Sequence, residues 1–239
     1  MSDVEIDRIN KPYLPIPSGA LNLKQAKIIV YTALIISLGL ALYVSPYLFA
    51  IIALSNTIGW AYSMRPFFLK RHHLTAALSI SIVRGIMINL GGFLVFNYLV
   101  NNTLDIPENV LILTVFIIVF SIAISWFKDL PDIEGDAKYK IKTFAITYSP
   151  RAALITGSVL VVAAYLFTIY LKFIFLISSD IPSFETKVLL YGHIFLFGLF
   201  VINSLSTRLQ DRDSINKFYK RFWLFFFAEY VLYMLAYLA

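Results

Sequence analysis

The sequence predicts an all-α protein that crosses a membrane several times as a helical bundle. Of its 239 residues, 59% are hydrophobic and only 14% are charged, whereas a soluble domain carries about 25% charged residues. The mean hydropathy is +0.78. Apolar runs of about 17–25 residues, long enough to cross a bilayer, recur along the chain, and the alternation typical of membrane strands is absent from the sequence. We therefore predict one integral-membrane domain over residues 1–239.

The apolar runs leave little room for a soluble domain. Seven spans are predicted, at 28–45, 46–64, 74–99, 110–127, 152–177, 188–206 and 222–239. Only Pro46 separates the first two spans, which predicts a tight helical hairpin because proline interrupts a helix interior but is accepted in a first turn.

Lysine and arginine concentrate in four of the segments outside these spans. Residues 1–27, 64–73, 128–151 and 207–221 carry seventeen of the twenty basic residues. Because basic loops favour the cytoplasmic side, we expect these segments, and the N-terminus, on the cytoplasmic or stromal face. The formal charge of +6 then reflects membrane topology, and nucleic acid is not an expected partner, since that needs a basic face on a soluble module.

Half of the acidic residues fall in two short clusters on that same face. Seven of the fourteen lie within residues 3–7 and 129–136. Residues four apart share one side of a helix, which places Glu5 and Glu134 away from the remaining carboxylates. The carboxylates expected to act together are Asp3, Asp7, Asp129, Asp132 and Asp136.

Carboxylates packed this densely repel one another unless a cation lies between them. Magnesium takes oxygen ligands and is held by one or two carboxylates together with substrate phosphates. Two ions bridging a diphosphate would neutralise the charge that builds on it as it leaves. We interpret Asp3, Asp7, Asp132 and Asp136 as catalytic Mg²⁺ ligands, with Asp129 as a fifth. The alternative is a solvated loop that only keeps a helix end soluble.

Basic side chains beside the clusters fit a diphosphate pocket, because ammonium and guanidinium groups complement phosphate. The alternative is that they only set the membrane topology. The candidates are Lys11, Lys70, Arg71, Lys128 and Lys138.

Arg84, Asn89 and Glu229 fall inside predicted spans, where an ionisable group marks a functional site by default. Arg84 and Glu229 are each expected roughly 10–15 Å deep, from a rise of about 1.5 Å per residue, with Asn89 further along the same span. We expect Arg84 and Glu229 to pair or to line one cavity wall, and a structural ion pair and a substrate contact both stay open. His193 matches no metal-ligand spacing and is expected on a helix surface. With no cysteine in the chain, thiolate metal sites are excluded.

Several of these segments resemble the UbiA superfamily of membrane prenyltransferases, and its homogentisate branch most closely. Residues 3–15 are similar to its first aspartate-rich motif, with the tail Asn-Lys-Pro-Tyr-Leu-Pro, and residues 128–136 are similar to its second. Shorter matches cover the rest of the chain: Ala61-Tyr62-Ser63, Leu69-Lys70-Arg71, Val83-Arg84-Gly85, Asn89-Leu90-Gly91, Phe222-Trp223 and Ala228-Glu229-Tyr230.

The resemblance implies nine helices around a cavity open to lipid, Mg²⁺, an allylic prenyl diphosphate and an aromatic acceptor. For the homogentisate branch it implies loss of the acceptor's carboxyl group as CO₂, with products that feed tocopherol or plastoquinone synthesis. It also implies that Tyr62, Lys70, Arg84 and Asn89 contact substrate. The expected location is a bacterial plasma or thylakoid membrane, or a plastid membrane.

The chain departs from the family pattern in two places. The family's first motif opens with an asparagine four residues before the position of Asp3, and the two helices preceding that motif are not in this sequence, so we expect seven of nine spans. Before Leu-Lys-Arg, where relatives often have a second proline and an arginine, this chain has Arg65 and Phe68.

Three alternatives remain at this point. One is another UbiA branch acting on 4-hydroxybenzoate, chlorophyll or flavonoid acceptors. A second is a transporter or receptor, although coupling carboxylates of transporters usually lie near the bilayer midplane. The third is a non-catalytic, truncated membrane protein.

Overall fold

The computed structural model describes residues 4–238, and most of them are helical. The α-helices are α1 Val4–Asn10, α2 Leu23–Val44, α3 Pro46–Ser63, α4 His73–Ser81, α5 Gly92–Asn101, α6 Glu108–Phe127, α7 Ile133–Lys138, α8 Phe144–Thr147, α9 Pro150–Ser178, α10 Phe184–Leu205 and α11 Arg212–Tyr237. A π-helical segment, Ile82–Gly91, joins α4 to α5 into one continuous 29-residue helix. A short 3₁₀ turn, Leu69–Arg71, precedes α4.

Seven long helices lie at the seven predicted spans, which confirms the all-helical membrane architecture. Within residues 4–238, five of them are long and apolar enough to cross a membrane: α2, the α4–α5 helix, α6, α9 and α10. The prediction of seven such spans is not met by α3 and α11. In α3 the polar run Ser55-Asn56-Thr57 lowers the hydropathy, and the apolar part of α11 begins only after Arg221 and contains Glu229.

Helix α6 forms the centre of the bundle, and most of its side chains are buried. Its phenylalanines meet those of α11, as in the stacked pair Phe120 and Phe222 with ring centroids 4.3 Å apart. Helix α9 approaches closely at Gly157, where an added Cβ would lie 2.5 Å from the ring of Phe127. Small residues at such crossings let membrane helices pack tightly.

The hairpin of α2 and α3 is packed far less closely. Ser45 caps α3, accepting a hydrogen bond from the Tyr47 amide at 3.1 Å, and Pro46 occupies the first turn as predicted. Only Ala26 and Ala41 of α2 are buried. The remaining apolar surface suits contact with lipid.

The two acidic segments lie on short helices at one end of the bundle. Helix α1 carries Asp7 and packs against α7. A turn after α6 leads into α7 and places three aspartates in succession: the Asp132 amide donates to the Asp129 carbonyl at 3.2 Å, and the Asp136 amide donates to the Asp132 carbonyl at 3.1 Å.

Candidate active site

A cavity of about 720 Å³ opens where α1, α7 and the adjoining ends of α3, α6 and α11 meet. We call it the acidic cavity. Eight of the site residues predicted from the sequence line it: Asp7, Lys11, Tyr62, Lys70, Lys128, Asp129, Asp132 and Asp136. The tertiary structure thus brings the two acidic clusters, more than a hundred residues apart in the chain, to one pocket.

The side chain of Asn10 fastens the two clusters together. Its amide nitrogen donates to the carbonyl of Asp132 at 3.0 Å, and its amide oxygen accepts from the Gly135 amide at 2.9 Å. A side chain at position 135 would displace Asn10 from these bonds, because an added Cβ would lie 2.6 Å from the Asn10 amide. Arg212 donates to the Asn10 carbonyl at 3.4 Å, which ties α11 to the same joint.

Lysines neutralise two of the buried carboxylates. Lys128 donates to Asp129 at 2.6 Å, and Lys11 donates to Oδ2 of Asp132. The other oxygen of Asp132, Oδ1, is buried and has no hydrogen-bond partner within the part of the chain that the structure describes. An unmatched buried carboxylate oxygen is costly, which makes it a natural ligand for an added cation.

At Asp136, burial and the neighbouring carboxylates outweigh the attraction of the lysines. Burial, together with repulsion from Asp129 and Asp132, raises the pKa of Asp136 to about 7. Burial lowers the pKa of Lys11, but its hydrogen bond and attraction to Asp132 outweigh burial and raise that pKa overall. The lysine ammonium therefore stays charged, while Asp136 is held partly protonated at neutral pH.

This donor set fits Mg²⁺ bound together with a substrate, rather than a closed protein cage. Among residues 4–238, no three acidic or histidine side chains stand close enough to hold one ion by themselves. Magnesium is commonly held by only one or two carboxylates, with phosphate oxygens and water completing its shell. A bound divalent cation would give Oδ1 of Asp132 a partner and would lower the raised pKa of Asp136.

The basic lining completes a pocket for an anion that brings metal with it. Alongside the four aspartates stand five cationic side chains, which are Lys11, Lys70, Lys128, Arg212 and Lys220. Carboxylates alone would repel a diphosphate, and lysines alone would not require a divalent ion. Both types of side chain on one wall suit a metal-bound diphosphate.

A comparison with known protein families shows to which family this chain belongs. Residues 1–228 match the UbiA prenyltransferase family. The chain belongs to that family. This confirms the resemblance of the sequence motifs and, at the level of the family, the predicted enzyme class, a prenyltransferase.

Two curated relatives of this UbiA protein are homogentisate phytyltransferase from Synechocystis, 37% identical over 98% of this chain and 74% of its own length, and a probable homogentisate phytyltransferase 2 of the chloroplast from Oryza sativa, 32% identical over 98% of this chain. The chain spans only 61% of the rice protein. A solved structure described as digeranylgeranylglyceryl phosphate synthase in membranes superposes with a TM-score of 0.58 over 98% of this chain and 77% of its own. At 22% identity that likeness concerns the fold alone.

The UbiA chain does not bring every predicted site residue to the acidic cavity. Asp3 lies outside the described residues. Arg71 lines a neighbouring pocket with Arg65 and His72, and Lys138 is exposed on α7. Their positions follow from the turn of the chain after α3 and from the helical spacing of α7, neither of which a charge pattern reveals.

The predicted ion pair between Arg84 and Glu229 is wrong, and the alternative that both line one cavity wall stays a prediction. Nε2 of His193 lies 3.1 Å from Oε2 of Glu229, and both side chains are fully buried. The expectation that His193 lies on a helix surface is therefore also wrong. Arg84 instead lies over the ring of Trp223, with its Cζ 4.6 Å from the centroid. The depth of a residue along its predicted span does not show which faces of neighbouring helices point toward one another.

Asn89 forms a hydrogen bond within the bundle, in which its side-chain amide donates to the Thr114 hydroxyl at 2.8 Å. Conversely, five residues that line the cavity were not predicted from the sequence: Asn10, Arg212, Asn216, Tyr219 and Lys220. The basic segment 207–221 was the available signal for the four on α11, but it served only to predict the membrane topology.

Proposed function

We propose that this chain transfers a prenyl group from a prenyl diphosphate to homogentisate in a Mg²⁺-dependent reaction. The donor is phytyl, geranylgeranyl or solanesyl diphosphate, and the product belongs to tocopherol or plastoquinone synthesis. The observation that carries the proposal is the meeting of Asp7, Asp132 and Asp136 with Lys11 and Lys128 in one cavity at the end of an apolar bundle. Relatives named as homogentisate phytyltransferases support the acceptor.

The aspartates of the acidic cavity would hold the metal, and the lysines would bind the diphosphate directly. Asp7, Asp129, Asp132 and Asp136 are the ligands present among the described residues. When bound, Mg²⁺ supplies neutralisation of the charge that develops on the leaving diphosphate. Lys11 and Lys128, now paired with Asp132 and Asp129, are placed to exchange those partners for phosphate oxygens.

The proposed reaction breaks one bond and forms another. The bond between the allylic carbon and the diphosphate oxygen breaks, with both electrons leaving on the oxygen, and a ring carbon of the acceptor bonds to the allylic carbon. That ring carbon loses its proton, the carboxyl group leaves as CO₂, and the side-chain carbon takes up a proton, so atoms and charge balance. Water must be excluded, since it would convert the allylic cation to an alcohol.

The proposed setting is a multi-pass protein whose acidic cavity faces the cytoplasm or stroma. The support is the basic lining of that end of the bundle, since positive residues favour that side. Membrane lipid surrounds the exposed apolar faces, and the membrane is a bacterial plasma or thylakoid membrane or a plastid membrane.

Reconstituted protein tests the proposal directly. Liposomes containing the chain are supplied with Mg²⁺, each of the three prenyl diphosphates and homogentisate, and products are identified by mass spectrometry. We expect a prenylated, decarboxylated quinol, and no product when the metal is chelated. Turnover only with 4-hydroxybenzoate, chlorophyll-type or flavonoid acceptors would transfer the proposal to another UbiA branch, and no turnover with any acceptor would contradict it.

A further inference from the structure

Among residues 4–238, no carboxylate forms an ion pair with Arg84, which lies within the helical bundle. It lies in the π-helical segment that joins α4 and α5, and π-helical turns occur often at functional sites. Its guanidinium stacks on Trp223 and lies 5.7 Å from the centroid of Phe226. Nη1 is buried and has no hydrogen-bond partner within residues 4–238. A charge at this depth is costly unless something pairs with it.

The acidic side chain expected beside Arg84 does not pair with it. Glu229, the acidic residue expected beside Arg84 from the sequence, pairs with His193. In the described part of the chain, no carboxylate forms an ion pair with Arg84. The aromatic stack holds the guanidinium plane from one side and leaves its N–H edges to bind a planar anion.

Arg84 is connected to the acidic cavity through its aromatic neighbours. Trp223, on which the guanidinium stacks, contacts Tyr219 with ring centroids 6.4 Å apart, and Phe226 contacts Tyr230 with centroids 5.5 Å apart. Tyr219 also lines the acidic cavity, together with Tyr62. A molecule held by Arg84 would therefore lie next to the diphosphate end of the pocket, among aromatic rings and hydroxyl groups.

We propose that Arg84 binds the carboxylate of the aromatic acceptor and selects arylacetates over uncharged phenols. This inference rests on the proposed function, which places an acceptor beside the diphosphate. Homogentisate is a dihydroxyphenylacetate, so one molecule presents a carboxylate for the guanidinium fork and an aromatic ring for Trp223. Its ring hydroxyl groups suit a neighbourhood that contains the hydroxyl groups of Tyr219 and Tyr230. A paired guanidinium and carboxylate, sheltered from water, bind more strongly than neutral hydrogen-bonding groups.

The test compares two ligands of nearly the same shape, one with a carboxylate and the other with a neutral amide in its place. Binding of homogentisate and of its uncharged amide, 2,5-dihydroxyphenylacetamide, is measured by tryptophan fluorescence and calorimetry on the reconstituted chain with Mg²⁺ and pyrophosphate. We expect wild type to prefer the acid by about 10- to 100-fold, as for hydrogen bonds to a charged group. Arg84→Gln should remove the preference while the affinity for Mg²⁺ and pyrophosphate stays unchanged.

Two further variants keep the inference falsifiable. Arg151→Gln, an exposed arginine at the start of α9, serves as the matched control and should keep the full preference. Arg84→Lys retains the charge without the planar fork and should keep only part of it, which decides the matter if Arg84→Gln fails to fold. An equal preference in wild type and Arg84→Gln, or no preference in wild type, would overturn the inference.

The same measurements separate this inference from the proposed function. Arg84-dependent binding of the acid without any prenylated product would sustain the carboxylate site and defeat the proposed reaction. Turnover of homogentisate with an unchanged acid-to-amide ratio in Arg84→Gln would defeat the carboxylate site alone.

Discussion

The acidic cavity and the buried pair of His193 and Glu229 both bring ionisable side chains together, but the first lies on an open cavity and the second is enclosed within the bundle. Among residues 4–238, both regions contain buried carboxylate oxygens without a hydrogen-bond partner, Oδ1 of Asp132 and both oxygens of Glu229, and in the cavity repulsion contributes to the raised pKa of Asp136. In the bundle, His193 and Glu229 lie 3.1 Å apart with no exposure, enclosed by the rings of Tyr165 and Tyr233.

This difference indicates that the acidic cavity binds a ligand, whereas the buried pair stabilises the packing of two helices. A carboxylate on an open cavity can gain from a cation or substrate that enters, whereas the fully buried pair is out of reach of one. His193 is on α10 and Glu229 on α11, so their pairing joins two neighbouring helices. We expect changes in the first region to affect catalysis and changes in the second to affect stability.

The largest effect is expected in the acidic cavity. Asp136→Asn should lower the rate of diphosphate release by about 10²–10³-fold, because it removes a metal ligand that acts on the leaving group. The thermal unfolding midpoint should not fall. Release is measured with a coupled pyrophosphate assay in liposomes.

Glu134→Gln is the matched control, since Glu134 is adjacent in sequence but largely exposed, with Arg212 4.0 Å away. It should retain full activity. Equal losses of activity in both variants would show that the cavity face of α7 matters no more for catalysis than its solvent face.

The buried pair should show the opposite pattern. Glu229→Leu and His193→Leu each leave one polar partner buried, and each should lower the free energy of unfolding by about 2–4 kcal/mol. The double variant should lose less than the sum, because neither orphan remains. Unfolding in detergent measures all three, and strictly additive losses would refute the pairing.

A smaller effect is expected at the joint between the two acidic segments. Asn10→Ala should weaken Mg²⁺ binding in the presence of pyrophosphate by about tenfold, as two hydrogen bonds that position the clusters are lost. Calorimetry measures the affinity. Asn56→Ala is the control, because the Asn56 amide bonds only to Ile52 in its own helix; a similar loss there would show a general effect of removing an amide.

The smallest effect is a dependence on pH. Asp136 must lose its proton to bind Mg²⁺, and its pKa is raised to about 7, so affinity should rise with pH through that value. We expect a gain of roughly three- to tenfold from about pH 6 to about pH 8. Glu134→Gln should show the same slope. Affinity that is constant over this interval would mean that Asp136 is not a ligand.

Much of the fold followed from the order of apolar residues, and the candidate site followed less completely. The long helices begin and end within four residues of the predicted spans because burial in lipid demands long apolar runs, except that α2 begins at Leu23 and α11 at Arg212, five and ten residues before their predicted starts. Eight predicted side chains share the acidic cavity, because residues that flank helix ends on one side of a bundle must lie near one another. Arg71 and Lys138 show the limit, since being on the right side does not decide which way a side chain points.

By itself, the sequence determined that the chain is a membrane helical bundle, that its aspartates gather at one end and that its motifs are those of a UbiA protein. Only the tertiary structure decided that Asn10 joins the acidic segments, that Glu229 pairs with His193, and that Arg84 stacks on Trp223. The physical reason is that spans and loops depend on local hydropathy and charge. Partners across helices depend on the rotation of each helix about its axis, which packing against several neighbours sets at once.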